Sequence, residues 1–236
     1  MDIFTAIKTR KSVREYLDIP IPEDLIAGIV EAGSFAPSAG DKQNWKFVVV
    51  RDQSRKNDIA TDCNEQYWMA KAPVHIVICS DEGMNQKFFG KRSQLYSIQN
   101  CAVAAENMLL AAHSMDIGAC FVSQFDEIEL ANDIGLSSNA RVQGIITLGY
   151  PTEHEVHKRQ QKKLHEVMNF ESYGSSVKDF SPWLFDWSKV MTKNIDRFTD
   201  DIKTVFLKEF KEYSDEIEKH WKKISKKIKE VLKKKL

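Results

Sequence analysis

The sequence is short of the features that mark many specialised proteins. Its four cysteines, Cys63, Cys79, Cys101 and Cys120, are scattered, with no C-x-x-C pair and no histidine at metal-ligand spacing. That argues against a zinc ribbon or a disulfide framework and fits a reducing compartment. No run approaches the ~20 apolar residues of a membrane span. Met1-Asp2-Ile3-Phe4 lacks the charged and then apolar stretches of a signal peptide, so the cytoplasm is the expected location. The ten glycines are dispersed and form no G-x-G-x-x-G element, which excludes a recognisable dinucleotide site of Rossmann type. Net charge is also absent, with 34 basic and 34 acidic residues. The balance is uneven: residues 219–236 hold nine lysines against Glu230 alone, a net of +8, which leaves the remainder at −8. The chain is an acidic body with a basic tail.

What is present alternates irregularly between helix and strand, without repeated βαβ units. Asp2–Thr9 reads as a short amphipathic helix with Ile3, Phe4 and Ile7 on one face. Pro22-Glu23-Asp24 opens a second helix, with Leu25, Ile29 and Val30 as its apolar face and Pro37 as its stop. The β-branched runs at 45–50, 74–79, 119–122 and 142–148 predict strands, and Asp126 predicts a cap for a helix over 127–134. Residues 97–114, rich in alanine and leucine and almost free of charge, predict a buried central helix whose small residues permit close packing.

Two segments carry chemistry. The first is Arg10-Lys11-Ser12-Val13-Arg14, followed by Ala36-Pro37-Ser38-Ala39-Gly40-Asp41-Lys42-Gln43-Asn44-Trp45. The second is Ile117-Gly118-Ala119-Cys120-Phe121-Val122-Ser123-Gln124, then Gly149-Tyr150-Pro151 and a basic run containing Lys158 and Arg159. Arginine and lysine offer donors suited to phosphate, although a helix C-terminus also favours them. Pro, Ser and small residues make a tight loop that can lie against a flat ligand, or a plain helix-to-strand turn.

Order, spacing and content together resemble the nitroreductase family of FMN-dependent oxidoreductases over residues 1–174. The resemblance implies an α+β fold with a central, mostly antiparallel sheet flanked by helices, working as an intertwined homodimer with FMN at the interface. It implies cofactor contacts from Arg10, Lys11, Ser12, Arg14, Pro37, Ser38, Ala39, Asp41, Ser123, Gln124 and Arg159, with no catalytic side chain because FMN carries the chemistry. NADPH or NADH would be co-substrate, and a nitroaromatic, a quinone or a related small molecule would be the acceptor, in ping-pong order. Gln66–Met69 and Phe88–Arg92 would shape the acceptor pocket. Two departures stand out. Asp41 replaces the family's Asn, and Asn44 replaces its Pro, a change expected to loosen the loop slightly. A dehalogenase-type reaction on the same scaffold, and a flavin-binding sensor or scaffold with a docking tail, are the alternative readings.

Residues 175–236 lie outside the resemblance and are expected to form a helical extension. Ser181-Pro182 is a helix start, and apolar residues from Met191 to Val231 recur mostly at steps of three and four, an amphipathic stripe. The body or a partner subunit is the favoured cover. A membrane surface is the alternative, and nucleic acid is not expected, since no recognisable binding module accompanies the lysines.

Overall fold

The computed structural model describes residues 1–152 and 161–175. Arg159, Lys158 and the amphipathic stripe of the extension lie outside the described residues. The chain divides at Gln160/Gln161. In the second part, the described stretch holds a short helix, Leu164–Val167, and a turn closed by the Phe170 N–H donating to the Ser175 carbonyl at 3.0 Å.

In the first part, helices α1 (Ile3–Thr9) and α2 (Glu23–Ser34) precede strand β1 (Trp45–Val50). Helix α3 (Gln53–Asp62), strand β2 (Val74–Asp81) and helix α4 (Glu82–Phe89) follow. Helix α5 (Ser93–Ser114), strand β3 (Gly118–Val122), helix α6 (Glu127–Asp133) and strand β4 (Ala140–Gly149) complete it. The sheet order is β1-β2-β4-β3, every pairing antiparallel. The expected α+β architecture with an antiparallel sheet is what the chain forms.

Aspartates start four of the helices. Asp2, Asp52, Asp81 and Asp126 each accept backbone N–H groups of the first turn, satisfying donors that the helix itself cannot pair. Strand β2 is buried from Val74 to Ser80 because both faces of the sheet are covered. Ile76 and Ile78 face one core with α2 and α5, while Val77 and Cys79 face a second with α3 and α6, the alternation that a period of two requires.

Two helices differ from expectation. In α1 the apolar positions Ile3 and Ile7 are exposed and Ala6 is the buried residue. Helix α5 buries one side (Cys101, Ala104, Ala105, Met108 and Ala112) against the sheet, while Leu95, Ile98 and Val103 on the other side stay exposed. Apolar periodicity correctly marked both as helices, but the expectation that α5 is buried on most of its circumference is corrected: only one side of it is buried. Helix α2 buries Ile26 and Ile29, with Leu25 and Val30 only partly buried.

Candidate functional site

Beyond the end of α1, the basic segment crosses to the edge of β3 that faces away from β4. Ser12 forms an isolated parallel bridge with Ala119, and the Val13 N–H donates to the Ala119 carbonyl at 2.9 Å. A few residues on, Tyr16 bridges Pro151, and its hydroxyl contacts the Val13 carbonyl and Thr147 Oγ1. Two glycines make this seat possible. A Cβ on Gly118 would come within 2.9 Å of Val13 Cγ1, and one on Gly149 within 2.5 Å of Tyr16 Cδ1. The two sequence segments, a hundred residues apart, thus meet at one corner of the sheet.

At that corner a cavity of about 130 Å³ is lined by Arg10, Lys11, His113, Asp116 and the start of β3. Arg10 Nε lies 3.4 Å from Glu106 Oε1, an ion-pair distance, yet makes no hydrogen bond although it is buried. His113 Nε2 is 2.8 Å from Thr9 Oγ1. Burial holds the His113 pKa below the ordinary imidazole range; the Arg10 and Lys11 charges push the same way and Asp116 opposes them. The donors are rich in positive charge, and the space suits a phosphate group far better than a flavin ring.

Along β3 the strand leads away from this corner to Ser123 and Gln124, both exposed. From Ala119 to Ser123 is ~13 Å of strand. Arg14 lies over the Trp68 ring, 5.7 Å from its centroid, which ties the 66–69 segment to the basic strand. A second cavity of about 500 Å³ is bounded by Tyr16, Asp18, Lys56, Tyr67 and Lys71.

The loop at 37–44 is held elsewhere. Gly40, Asp41 and Gln43 all take positive φ (56°, 55° and 47°), a conformation that costs free energy at the two non-glycine positions. Ser38 Oγ accepts the Gln43 N–H at 3.0 Å, and Asp41 Oδ1 accepts from Gln43 Nε2 at 3.0 Å. Asn100 on α5 accepts the Ala39 N–H at 2.9 Å and donates to Asn44 Oδ1 at 2.8 Å. Asn44 Nδ2 reaches Ser97 Oγ at 3.0 Å and the Asp81 carbonyl at 3.3 Å. Asn44 is 1 % exposed. The expectation that it loosens the loop is therefore corrected: this residue bolts the loop to α5. Phe88 and Phe89 flank the same loop, with Lys42 Nζ 3.8 Å from the Phe88 centroid and Phe89 in the space a Cβ on Gly40 would need.

Sheet geometry separates the loop from the basic corner. Trp45 pairs with Ser80, which pairs with Arg141, whereas Ala119 pairs with Leu148. Four strand spacings across and seven residues along put Trp45, where the loop enters β1, and Ser12 at diagonal corners of the sheet, on the order of 30 Å apart as a flat-sheet spacing. Of the expected contacts, Arg10, Lys11, Ser12 and Arg14 share one corner, and Ser123 and Gln124 lie further along the same edge. Pro37, Ser38, Ala39 and Asp41 sit at the opposite corner.

Sequence reasoning missed His113 and the Asn44–Ser97–Asn100 network. The signal available was Ser97 and Asn100, polar residues three apart on the face of a helix otherwise lined with Ala, Cys and Leu. The cysteines are buried, and burial raises the thiols of Cys63 and Cys101 to about 12 and of Cys79 to about 11, so none of these three is a nucleophile at neutral pH.

The sequence model of the Nitroreductase family matches residues 7–68 and 55–150. A Methanothermobacter thermautotrophicus protein, provisionally named NADH dehydrogenase/NAD(P)H nitroreductase, is 35% identical over 158 residues, covering 65% of this chain and 80% of that one. The NADPH-flavin oxidoreductase of Vibrio harveyi is 24% identical over 217 residues, covering 79% and 88%. The FMN-dependent nitroreductase structure from Clostridium difficile shares the fold at a TM-score of 0.62 and 22% identity, covering 72% and 99%. With the family's pattern running through the basic corner, the loop and all four strands, the chain belongs to the nitroreductase family.

Proposed function

We propose that the chain is an FMN-dependent oxidoreductase that takes electrons from NADH or NADPH and passes them to a nitroaromatic, a quinone or a related small acceptor. The observation that carries this reading is the Ser12–Ala119 bridge, which sets a cationic, phosphate-sized cavity at the head of the strand leading to Ser123 and Gln124. The donor set fits FMN. Arg10, Lys11 and Ser12 would hold the phosphate, together with Arg159. Arg14 beside Trp68 would meet the polar edge of the ring, and the Ser123–Gln124 backbone would face the ring's centre, where a donor steadies negative charge. When bound, FMN supplies the reversible two-electron chemistry, accepting hydride from the nicotinamide and passing reducing equivalents on, each substrate visiting the site in turn.

Within one chain the loop at 37–41 is held on Asn100 of α5, away from the basic corner. A homodimer answers this, the loop of one copy closing the basic corner of the other. The exposed apolar residues of α1 and α5 (Ile3, Ile7, Leu95, Ile98 and Val103) supply surface for such an interface. Each half of the divided site also brings aromatic surface: Trp68 at the basic corner, Phe88 and Phe89 at the loop. These would stack the nicotinamide or acceptor ring and exclude water.

The test is an anaerobic titration. Purified protein should show a flavin spectrum that bleaches on adding NADPH or NADH and recovers with a nitroaromatic or quinone. Protein that stays colourless in the presence of FMN would end the proposal. Faster recovery with a halophenol would redirect it to dehalogenation.

A further inference from the structure

We propose that His113 is a ligand of the flavin phosphate, so that preference for FMN over riboflavin strengthens as pH falls. This rests on the flavin reading above and adds a residue and a dependence to it.

The imidazole lines the phosphate-sized cavity beside Arg10 and Lys11, at the last turn of α5. Its Nε2 is anchored on Thr9 at the end of α1, which fixes the ring against the cavity wall. Among the described residues, the charges acting on it are Arg10 and Lys11 from the segment after α1, and Asp116 just beyond α5. Glu106, two turns back along α5, is engaged with Arg10. Without an anion, two cations and burial favour the neutral ring. A phosphate dianion in the cavity reverses that balance, because it places two negative charges among Arg10, Lys11 and His113. The ring therefore takes up a proton as the anion binds, and by linkage the anion binds more tightly as protons become available. The second pKa of a phosphate monoester is about 6, so at pH 7 the ligand is already largely a dianion and releases little proton of its own. A histidine that merely complements the α5 C-terminus predicts no such coupling to the ligand.

The experiment is calorimetric titration of the full-length, flavin-stripped protein with FMN and with riboflavin at pH 7. Two buffers of different ionisation enthalpy count the protons, and dissociation constants are measured from pH 6.5 to 8.5. The expected result is net proton uptake with FMN and none with riboflavin. The FMN-to-riboflavin preference should rise about three- to tenfold from pH 8.5 to 6.5, since one unit of pKa shift is a factor of ten. His113→Gln, which keeps a donor toward Thr9, should bind riboflavin unchanged while losing both the proton uptake and the pH dependence. Wild-type protein with a pH-independent preference, or His113→Gln with unchanged proton uptake, overturns the proposal. Equal binding of FMN and riboflavin overturns it while leaving the flavin reading intact; binding of neither flavin ends both.

Discussion

Replacing Asn44 by the family's proline should destabilise this chain. Two effects compete. Proline restricts the unfolded chain and stabilises by about 0.4–1 kcal/mol where the native backbone accepts it. Against that, Asn44 makes three side-chain hydrogen bonds, to Ser97, the Asp81 carbonyl and Asn100. At about 1 kcal/mol each, their loss also strands the buried Asn100 amide. Gln43 adds to the cost: its φ of 47° is far from the extended backbone that a residue before proline prefers. The net expectation is a loss of about 2–4 kcal/mol, or roughly 5–15 °C in Tm for a chain of this size. Thermal and urea unfolding of wild type, Asn44→Pro and Asn44→Ala at one protein concentration check it. Asn44→Ala should lose nearly as much, since it removes the same bonds without the backbone restriction. An Asn44→Pro protein as stable as wild type would refute the reasoning and restore the view that asparagine there only slackens the loop.

Further outcomes follow from other contacts. Gly149→Ala should cost about 1–3 kcal/mol in urea unfolding, because its Cβ would overlap Tyr16 and Pro73, and bound flavin should fall with it as the basic corner shifts. Asp62, at the α3–α6 junction, has its pKa raised to about 6 by burial and by the neighbouring Asp133, Glu129 and Asp126. A raised carboxylate pKa stabilises the fold fully below the unfolded value and loses that contribution as pH climbs through about 6. Asp62→Asn should therefore leave stability at pH 4 nearly unchanged and raise it at pH 8 by on the order of 1 kcal/mol, the full shift being discounted for solvent screening. Arg14→Ala should weaken FMN binding by about tenfold or more with little change in Tm, since the side chain is exposed beside Trp68 and its loss removes a charge-assisted contact.

The sheet was legible because its strands are β-branched runs, and the doubled core explains why β2 reads as continuously apolar instead of alternating. Helix α4 was not legible: its stretch Glu82–Phe89 mixes Gly83, Asn85, Gln86 and Lys87 with no helical apolar period, and Asp81 capping it becomes evident only in three dimensions. The basic corner was readable as chemistry but not as a place, since its halves meet only in three dimensions, through the Ser12–Ala119 and Tyr16–Pro151 bridges. Asn44 misled for the opposite reason. Asparagine in a Gly-Asp loop ordinarily marks a solvated turn, and its burial depends on Ser97 and Asn100, more than fifty residues away. His113 carries no local signal, because a basic residue in a last helical turn needs no further explanation.

The central claim is that one flavin site is assembled from diagonal corners of two copies. It is tested most directly with mixed dimers of two differently tagged variants, one Arg10→Ala/Arg14→Ala and the other Ser38→Tyr. Each variant alone should purify without flavin. A mixed dimer, isolated through both tags, pairs one intact basic corner with one intact loop. It should hold one flavin per dimer and recover activity. A mixed dimer without flavin, or a failure of the two chains to associate, would contradict the account.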